Sequence, residues 1–274
     1  MAGPDSGRAL VLGSPISHSL SPVLHNAGYE ALGLEGWSYD RLECDAEALP
    51  GVVESAPEEV RGFSVTMPGK FAALKTATEA TERARRIGAA NTLVRVPGGW
   101  LADNTDVDGV DGALNELLGE DTPSRALVIG AGGTARPAIV ALAARGVREI
   151  AVLNRSDRAA ELSGLIDGTD AALEFHGFGE DLQELAYSVG AIVSTVPKGS
   201  LDEHQSRLLG HAPVLDVVYD PWPTRLAVAA ASNGRFTVGG HVMLAYQAYT
   251  QFELFTGRPA PRQAMWRALK AQLG

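Results

Sequence analysis

Short apolar runs alternate with longer, alanine-rich amphipathic stretches along almost the whole chain. Residues 9–12 form an apolar run of strand length. Residues 21–32 predict a helix, with Ser21 as N-cap, Pro22 at the first helical position and Gly33 as the stop. Residues 37–42 and 62–66 predict two further strands. Near Asp106 the pattern begins again. A helix is predicted over 107–118, a polar turn over 119–124 and a strand over 125–129. A glycine-rich turn follows, then a helix over 136–145 and a strand over 150–153. Later strands are predicted at 191–195, 214–218 and 236–238, and helices at 243–256 and 263–273. Strands alternating with helices in this way predict an α/β fold with parallel sheets, in two α/β domains. No internal repeat or low-complexity tract interrupts the pattern.

Composition narrows the function. A chain of 274 residues, 45% of them hydrophobic, suits two modest domains with buried cores. The formal net charge of −10 argues against a nucleic-acid partner, so any anion site must be positive locally. Cys44 is the single cysteine, which rules out an internal disulfide and fits a reducing compartment. Cys44 reads equally as a small residue near a strand end. The first seven residues lack a leader's apolar core, and no apolar run is long enough to cross a bilayer. A soluble, cytoplasmic protein without membrane partners is expected.

The glycine cluster supplies the first chemistry. Gly130-Ala131-Gly132-Gly133-Thr134-Ala135 lies between a predicted strand and helix, giving G-x-G-x-x-A. Gly130 would make the tight turn, Gly132 would admit a pyrophosphate to the backbone, and Ala135 would let the helix pack closely on the strand. The helix N-terminus adds unpaired N–H groups and a positive dipole end. The bare pattern also suits an ordinary glycine-rich turn; the strand, turn, helix and strand around it favour a dinucleotide. The next strand ends in Asn154-Arg155-Ser156-Asp157-Arg158, where NAD enzymes usually carry an acidic residue. Arg155 and Arg158 suit a ribose 2′-phosphate, because guanidinium pairs with phosphate through two hydrogen bonds. NADP is therefore favoured over NAD, with Asp157 read as a helix cap. The competing reading puts both arginines on a solvated helix start.

Polar clusters follow the strands predicted in the first half: 13–22 with its hydroxyls, 62–70 with Thr66 and Lys70, 88–93 with Asn91, and Asp103-Asn104-Thr105-Asp106. The carboxyl ends of parallel strands are where α/β sheets bind ligands. These segments, in this order, closely resemble the shikimate dehydrogenase family. The likeness continues through 130–133, 154–155, 216–221 and 240–247, and so covers nearly the whole chain. The resemblance implies an N-terminal substrate domain, residues 1–105, completed by helices within 241–274. It also implies an NADP-binding Rossmann domain, 106–240, with a cleft that closes over both ligands.

It implies residue roles as well. Ser19 and Ser21 would bind the substrate carboxylate, Thr66, Asn91 and Gln247 the ring hydroxyls, and Tyr219 would reach the substrate from the nucleotide domain. Lys70 and Asp106 would be the catalytic pair. Asn154, Arg155, Arg158 and Thr195 would join the glycine turn in holding NADP, and Val217 and Gly240 would line the nicotinamide pocket. No metal site is implied, and the oligomeric state, monomer or homodimer, stays open. Two positions depart from the family pattern. Ser64 stands where asparagine usually precedes the valine, a shorter hydrogen-bonding group that predicts altered loop or oligomer contacts. His241 stands where an apolar residue is common and reads as tolerated packing.

The residue types suit ketone reduction, which needs hydride on one side and a proton on the other. Lys70 as an ammonium can give that proton, and neutral lysine must accept it in reverse. With an unperturbed pKa of about 10.4, alcohol oxidation should quicken as pH rises. Burial would lower that pKa and the Asp106 carboxylate would raise it, and the residues alone leave the balance open. Taken without the family, Lys70 and Asp106 read first as an ordinary surface charge pair, because most lysines and aspartates are solvated. The expected activity is reversible NADPH-dependent reduction of 3-dehydroshikimate to shikimate, a step of aromatic amino-acid biosynthesis. Quinate and amino-shikimate dehydrogenases are the nearest rivals. Quinate users tend to alter one carboxylate-binding serine, and both Ser19 and Ser21 are present. A catalytically silent NADP-binding regulator would be expected to have lost Lys70 or Asp106, and both remain.

Overall fold

The computed structural model describes residues 6–201 and 203–273. The chain divides into two compact units: residues through Asp106 together with those from Leu244 onward, and Val107–Met243.

The first unit holds a six-stranded sheet built from β1 (Ser6–Gly13), β2 (Gly36–Glu43), β3 (Val60–Val65), β4 (Glu79–Ala80), β5 (Thr92–Val96) and β6 (Gly99–Asp103), in the order β2-β1-β3-β5-β6-β4. The period-2 pleat of β1 sends Ala9 and Val11 to one face and Leu10 and Leu12 to the other. On the first face they meet the helices Ser21–Ala31, Gly240–Thr256 and Arg262–Leu273 through Leu24, Phe252, Met265 and Leu269. On the second they meet Leu49, Val53 and Ala73 from the helices Leu49–Glu54 and Lys70–Thr76. Gly62 on β3 is required by this packing, because a Cβ there would lie 2.1 Å from the buried Phe255 ring.

This sheet is mixed rather than parallel. β1 pairs in parallel with β2 and β3, whereas β5 runs antiparallel to both β3 and β6. Pro97-Gly98, with Gly98 at φ +87°, turns β5 back into β6 as a hairpin. The expected N-cap also moves by one residue. Leu20 occupies the cap position, Ser21 is the first helical residue, and its N–H donates to Ser19 Oγ (3.3 Å). Pro22 accordingly falls at the second helical position instead of the first, and Gly33 (φ +64°) follows the helix end.

The second unit is a six-stranded, wholly parallel sheet: β7 (Arg125–Ile129), β8 (Glu149–Leu153), β9 (Ala172–His176), β10 (Ala191–Ser194), β11 (Val214–Asp216) and β12 (Thr237–Gly239), ordered β12-β11-β10-β7-β8-β9. Numbered within the unit this is 6-5-4-1-2-3, the doubly wound Rossmann order, with its switch point between β7 and β10. The central strands are mostly apolar, as burial on both faces requires: Ala126 to Ile129 are fully buried. The helix Ala135–Arg145 ends where Gly146 takes a left-handed conformation (φ +96°). β9, at the sheet's edge and only half-buried, carries too weak an alternation to be predicted.

Candidate active site

Asn91 and Gln247 of the first unit gather beside one ion pair. Lys70 opens the helix Lys70–Thr76 immediately after the β3 turn, and Asp106 opens the helix Asp106–Leu118 after β6. Lys70 Nζ donates to Asp106 Oδ2 at 2.5 Å, with the two side chains only 15% and 7% exposed. A pair this buried is not a solvated surface contact; it holds an ammonium and a carboxylate together in a place where leaving either alone would be costly.

Local sequence explains how Asn91 arrives there. Thr81 caps the helix Glu82–Ile87 by accepting from Ala84 N, and Gly88 (φ +73°) ends it. The chain is thereby released through Ala90, whose N–H donates to Lys70 O (2.9 Å), into β5. Asn91 Nδ2 donates to Asp106 Oδ1 (3.0 Å) and lies 3.4 Å from Gln247 Oε1. Asn91 Oδ1 accepts from Thr105 N (2.8 Å) and Thr92 Oγ1 (2.8 Å). The run 103–106 therefore splits in function. Thr105 and Asp106 face Asn91, whereas Asn104 donates to Ala89 O (2.9 Å) and Asp103 is gripped by Arg83 (2.6 and 2.5 Å) and Thr81 (2.7 Å). Burial works against the Asp103 carboxylate, but these bonds outweigh it and hold its pKa below the usual range.

Thr66 follows β3, its backbone tied to Leu12 O and Gly69 N. Its methyl presses on Gly13, where a Cβ would lie 2.4 Å away. Ser19 sits on the loop after β1, and Ser21 opens the helix Ser21–Ala31. That loop is pinned by two β2 residues. Glu43 accepts from Ser14 Oγ (2.6 Å) and Ile16 N (3.1 Å), and Arg41 donates to Ser19 O (2.9 and 2.5 Å).

Ser64 still hydrogen-bonds, from within a strand. It is buried within β3, accepts from Tyr39 Oη (2.5 Å) and donates to Gln251 Oε1 (2.8 Å). Cys44 is buried at the end of β2, and burial pushes its thiol pKa up, so it suits packing rather than reaction.

In the second unit Gly130 ends β7 at φ +106°, a conformation that favours glycine. A Cβ there would lie 2.6 Å from Thr195 Oγ1, which donates to Ile129 O (2.8 Å) across the switch point. Gly132 faces open space, with nothing within 4 Å of its Cβ direction, and Ala135 is fully buried where the helix begins. Ala131 is buried, and Gly133 and Thr134 complete the turn into the helix. The cradle therefore has the shape a pyrophosphate needs. Past β8, Asn154 Nδ2 donates to Ser156 O (2.8 Å); Arg158, not Asp157 as expected, holds the cap position of the helix Ala159–Leu162, and Asp157 accepts from Ala159 N (2.8 Å) one residue before it. Arg155 is exposed. Arg158 is already engaged by Glu161, Nε to Oε1 at 2.5 Å and Nη2 to Oε2 at 2.6 Å, and Arg136 approaches the same carboxylate at 3.5 Å.

Gly240 lies against Val217, where a Cβ would meet the carbonyl oxygen at 1.9 Å, so only glycine fits. Asp216 anchors the loop that carries Val217 and Tyr219, accepting from Thr224 Oγ1 (2.8 Å) and Val218 N (3.2 Å); burial pushes its carboxyl pKa up. Ser194, Val196, Asp216, Val218 and Thr224 line a cavity of about 550 Å³ at the ends of β10 and β11. His241 packs edge-on against Trp222, ring centroids 6.1 Å apart. Among the described residues no group of His, Cys, Asp and Glu is placed to hold a metal, and no helix is long and apolar enough to cross a membrane.

Three family models match the chain: a shikimate dehydrogenase substrate binding domain over residues 11–93, shikimate / quinate 5-dehydrogenase over 114–198, and a shikimate 5'-dehydrogenase C-terminal domain over 240–270. A shikimate dehydrogenase (NADP(+)) from Methylobacterium radiotolerans is 41% identical over 93% of each chain. The chain belongs to the shikimate dehydrogenase family. The crystal structure of Mycobacterium tuberculosis shikimate dehydrogenase is 50% identical, covering 97% of this chain and 99% of that one, with a TM-score of 0.89. The shikimate 5-dehydrogenase of Thermus thermophilus, solved in complex with NADP(H) and shikimate, is 31% identical over 97% and 99%, with a TM-score of 0.81.

Within this shikimate dehydrogenase fold, the sequence reading missed Arg41, Glu43, Tyr39, Thr92 and Gln251. Arg41, Glu43 and Tyr39 alternate along β2, and Gln251 lies one helical turn beyond Gln247. Such spacing could have flagged a shared face but not the partners.

Proposed function

We propose that the protein is an NADP-dependent shikimate dehydrogenase that reversibly reduces 3-dehydroshikimate to shikimate. The buried Lys70–Asp106 pair, with Asn91 and Gln247 beside it, carries this reading: a proton donor is set among groups suited to ring hydroxyls. When bound, NADPH supplies the hydride to the carbonyl carbon. Lys70 Nζ gives its proton to the carbonyl oxygen, completing the alcohol, and takes it back in the reverse direction. Asp106 keeps Lys70 aimed and accepts from a neighbouring substrate hydroxyl. Thr66, Asn91 and Gln247 hold the ring, and the Ser19 and Ser21 hydroxyls donate to the carboxylate. Gly130, Gly132 and the helix N-terminus at Ala135 receive the pyrophosphate. Arg155 and Arg158 bind the 2′-phosphate, with Arg158 exchanging Glu161 for it.

The assay is direct. Purified protein mixed with 3-dehydroshikimate should consume NADPH quickly and NADH slowly. Fast turnover with NADH would overturn the arginine reading, and no turnover with either would point to a different substrate or a silent NADP binder. Lys70→Ala should lower kcat by about a hundredfold or more while KM for shikimate changes little. An unimpaired variant would remove Lys70 from the chemistry.

A further inference from the structure

A buried chain of hydrogen bonds enters the Lys70–Asp106 site from behind, and every link points the same way. Tyr39 Oη donates to Ser64 Oγ (2.5 Å), and Ser64 Oγ donates to Gln251 Oε1 (2.8 Å). Gln251 Nε2 donates to Thr92 Oγ1 (2.9 Å) and to Asn91 O (3.2 Å). Thr92 Oγ1 donates to Asn91 Oδ1 (2.8 Å), and Asn91 Nδ2 donates to Asp106 Oδ1 (3.0 Å). Ser64, Gln251, Thr92 and Asn91 are all buried.

The direction follows from proton counting. A hydroxyl has one proton to give, and an amide has distinct donor and acceptor ends. The Tyr39 phenol is buried, and burial drives its pKa up strongly, so it stays protonated and donates. Ser64 has received that bond and spends its single proton on Gln251, whose carbonyl must therefore face Ser64. The Gln251 NH2 then faces Thr92, so the Thr92 proton is free for Asn91 Oδ1 at 2.8 Å, the shorter of its two contacts, with Thr105 Oγ1 at 3.3 Å. Asn91 is left with its NH2 toward the Asp106 carboxylate. Turned the other way, its oxygen would face that carboxylate and oppose the charge that holds Lys70.

We propose that Gln251 is a positioning residue for the reaction: acting through Thr92, it holds the Asn91 amide in the orientation that donates to Asp106 and so keeps Lys70 aligned. Ser64 and Tyr39 orient Gln251 in turn. Thr105 N–H is a second tie on Asn91 Oδ1, so losing the Gln251 relay weakens the site without abolishing it. The inference rests on Lys70, Asp106 and Asn91 forming the reactive site.

Steady-state kinetics on the full chain test it. Gln251→Leu and Thr92→Val should each lower kcat by about tenfold, the size of one internal hydrogen bond. KM for NADPH should stay unchanged. Thr92→Ser keeps the hydroxyl and should retain near-parental kcat, and the double variant Gln251→Leu/Thr92→Val should be no slower than the worse single variant. Losses that multiply, an undiminished kcat in either single variant, or equal damage from Thr92→Ser and Thr92→Val would overturn the relay. If Gln251→Leu does not fold, the Thr92 pair decides alone: a fall confined to valine supports the proposal, and any other result overturns it. Lys70→Met run alongside separates the two levels, since its full activity would dismiss the reactive site itself.

Discussion

His25 shows how far one residue's environment departs from its sequence neighbourhood. It lies on the helix Ser21–Ala31, fully buried, its ring stacked on Tyr39 with centroids 4.2 Å apart. Burial pushes its pKa down to about 3. The unfolded chain, with an ordinary histidine pKa of about 6.5, therefore binds a proton that the folded chain refuses throughout the window from about 6.5 down to about 3. Stability should fall as pH drops through that window, by at most about 1.4 kcal/mol per unit. His25→Phe keeps the stack and removes the proton, so acid unfolding followed by circular dichroism should move to lower pH. An unchanged acid limb would show that His25 is not its source. Legibility at this scale was uneven. Lys70, Asp106 and Asn91 could be picked out because their motifs stand in a recognisable order. Gln251 could not, because its role depends on Ser64, a residue 187 positions away.

At the scale of elements, periodicity and punctuation carried most of the information. The helix stops at Gly33 and Gly146 were readable because glycine alone takes a left-handed backbone without strain. The β5–β6 hairpin was not read, although Pro97-Gly98 is its signal, because the surrounding strands are short and half-buried. The close approach of helix Gly240–Thr256 to β3 depends on Gly62, where a methyl would strike the Phe255 ring at 2.1 Å. Phe255 is itself buried and has no open side to swing toward. Gly62→Ala should therefore cost about 1–3 kcal/mol, read from the urea midpoint. Adding Phe255→Leu should recover part of that loss, since the two changes share one space. Additive losses would mean that the strain lies elsewhere.

At the scale of the whole molecule, the first unit is completed by residues distant in sequence, because Met265 and Leu269 fill the same core as Leu24 and Tyr29. A chain ending after Thr256 should leave that core open and lower the thermal midpoint of the first unit. The second unit has its own core and should still bind 2′,5′-ADP. Loss of nucleotide binding together with the first unit would show that the two do not fold independently. The sequence by itself determined the α/β class, the glycine turn after β7 and the family, because strand and helix periods, glycine placement and motif order are local properties. Only the tertiary structure decided that β3 pairs with both β1 and β5, which makes the first sheet mixed, and that Ser64 joins Tyr39 to Gln251. Pairing direction and hydrogen-bond partners depend on residues brought together from opposite ends of the chain, and no local pattern encodes which ones will meet.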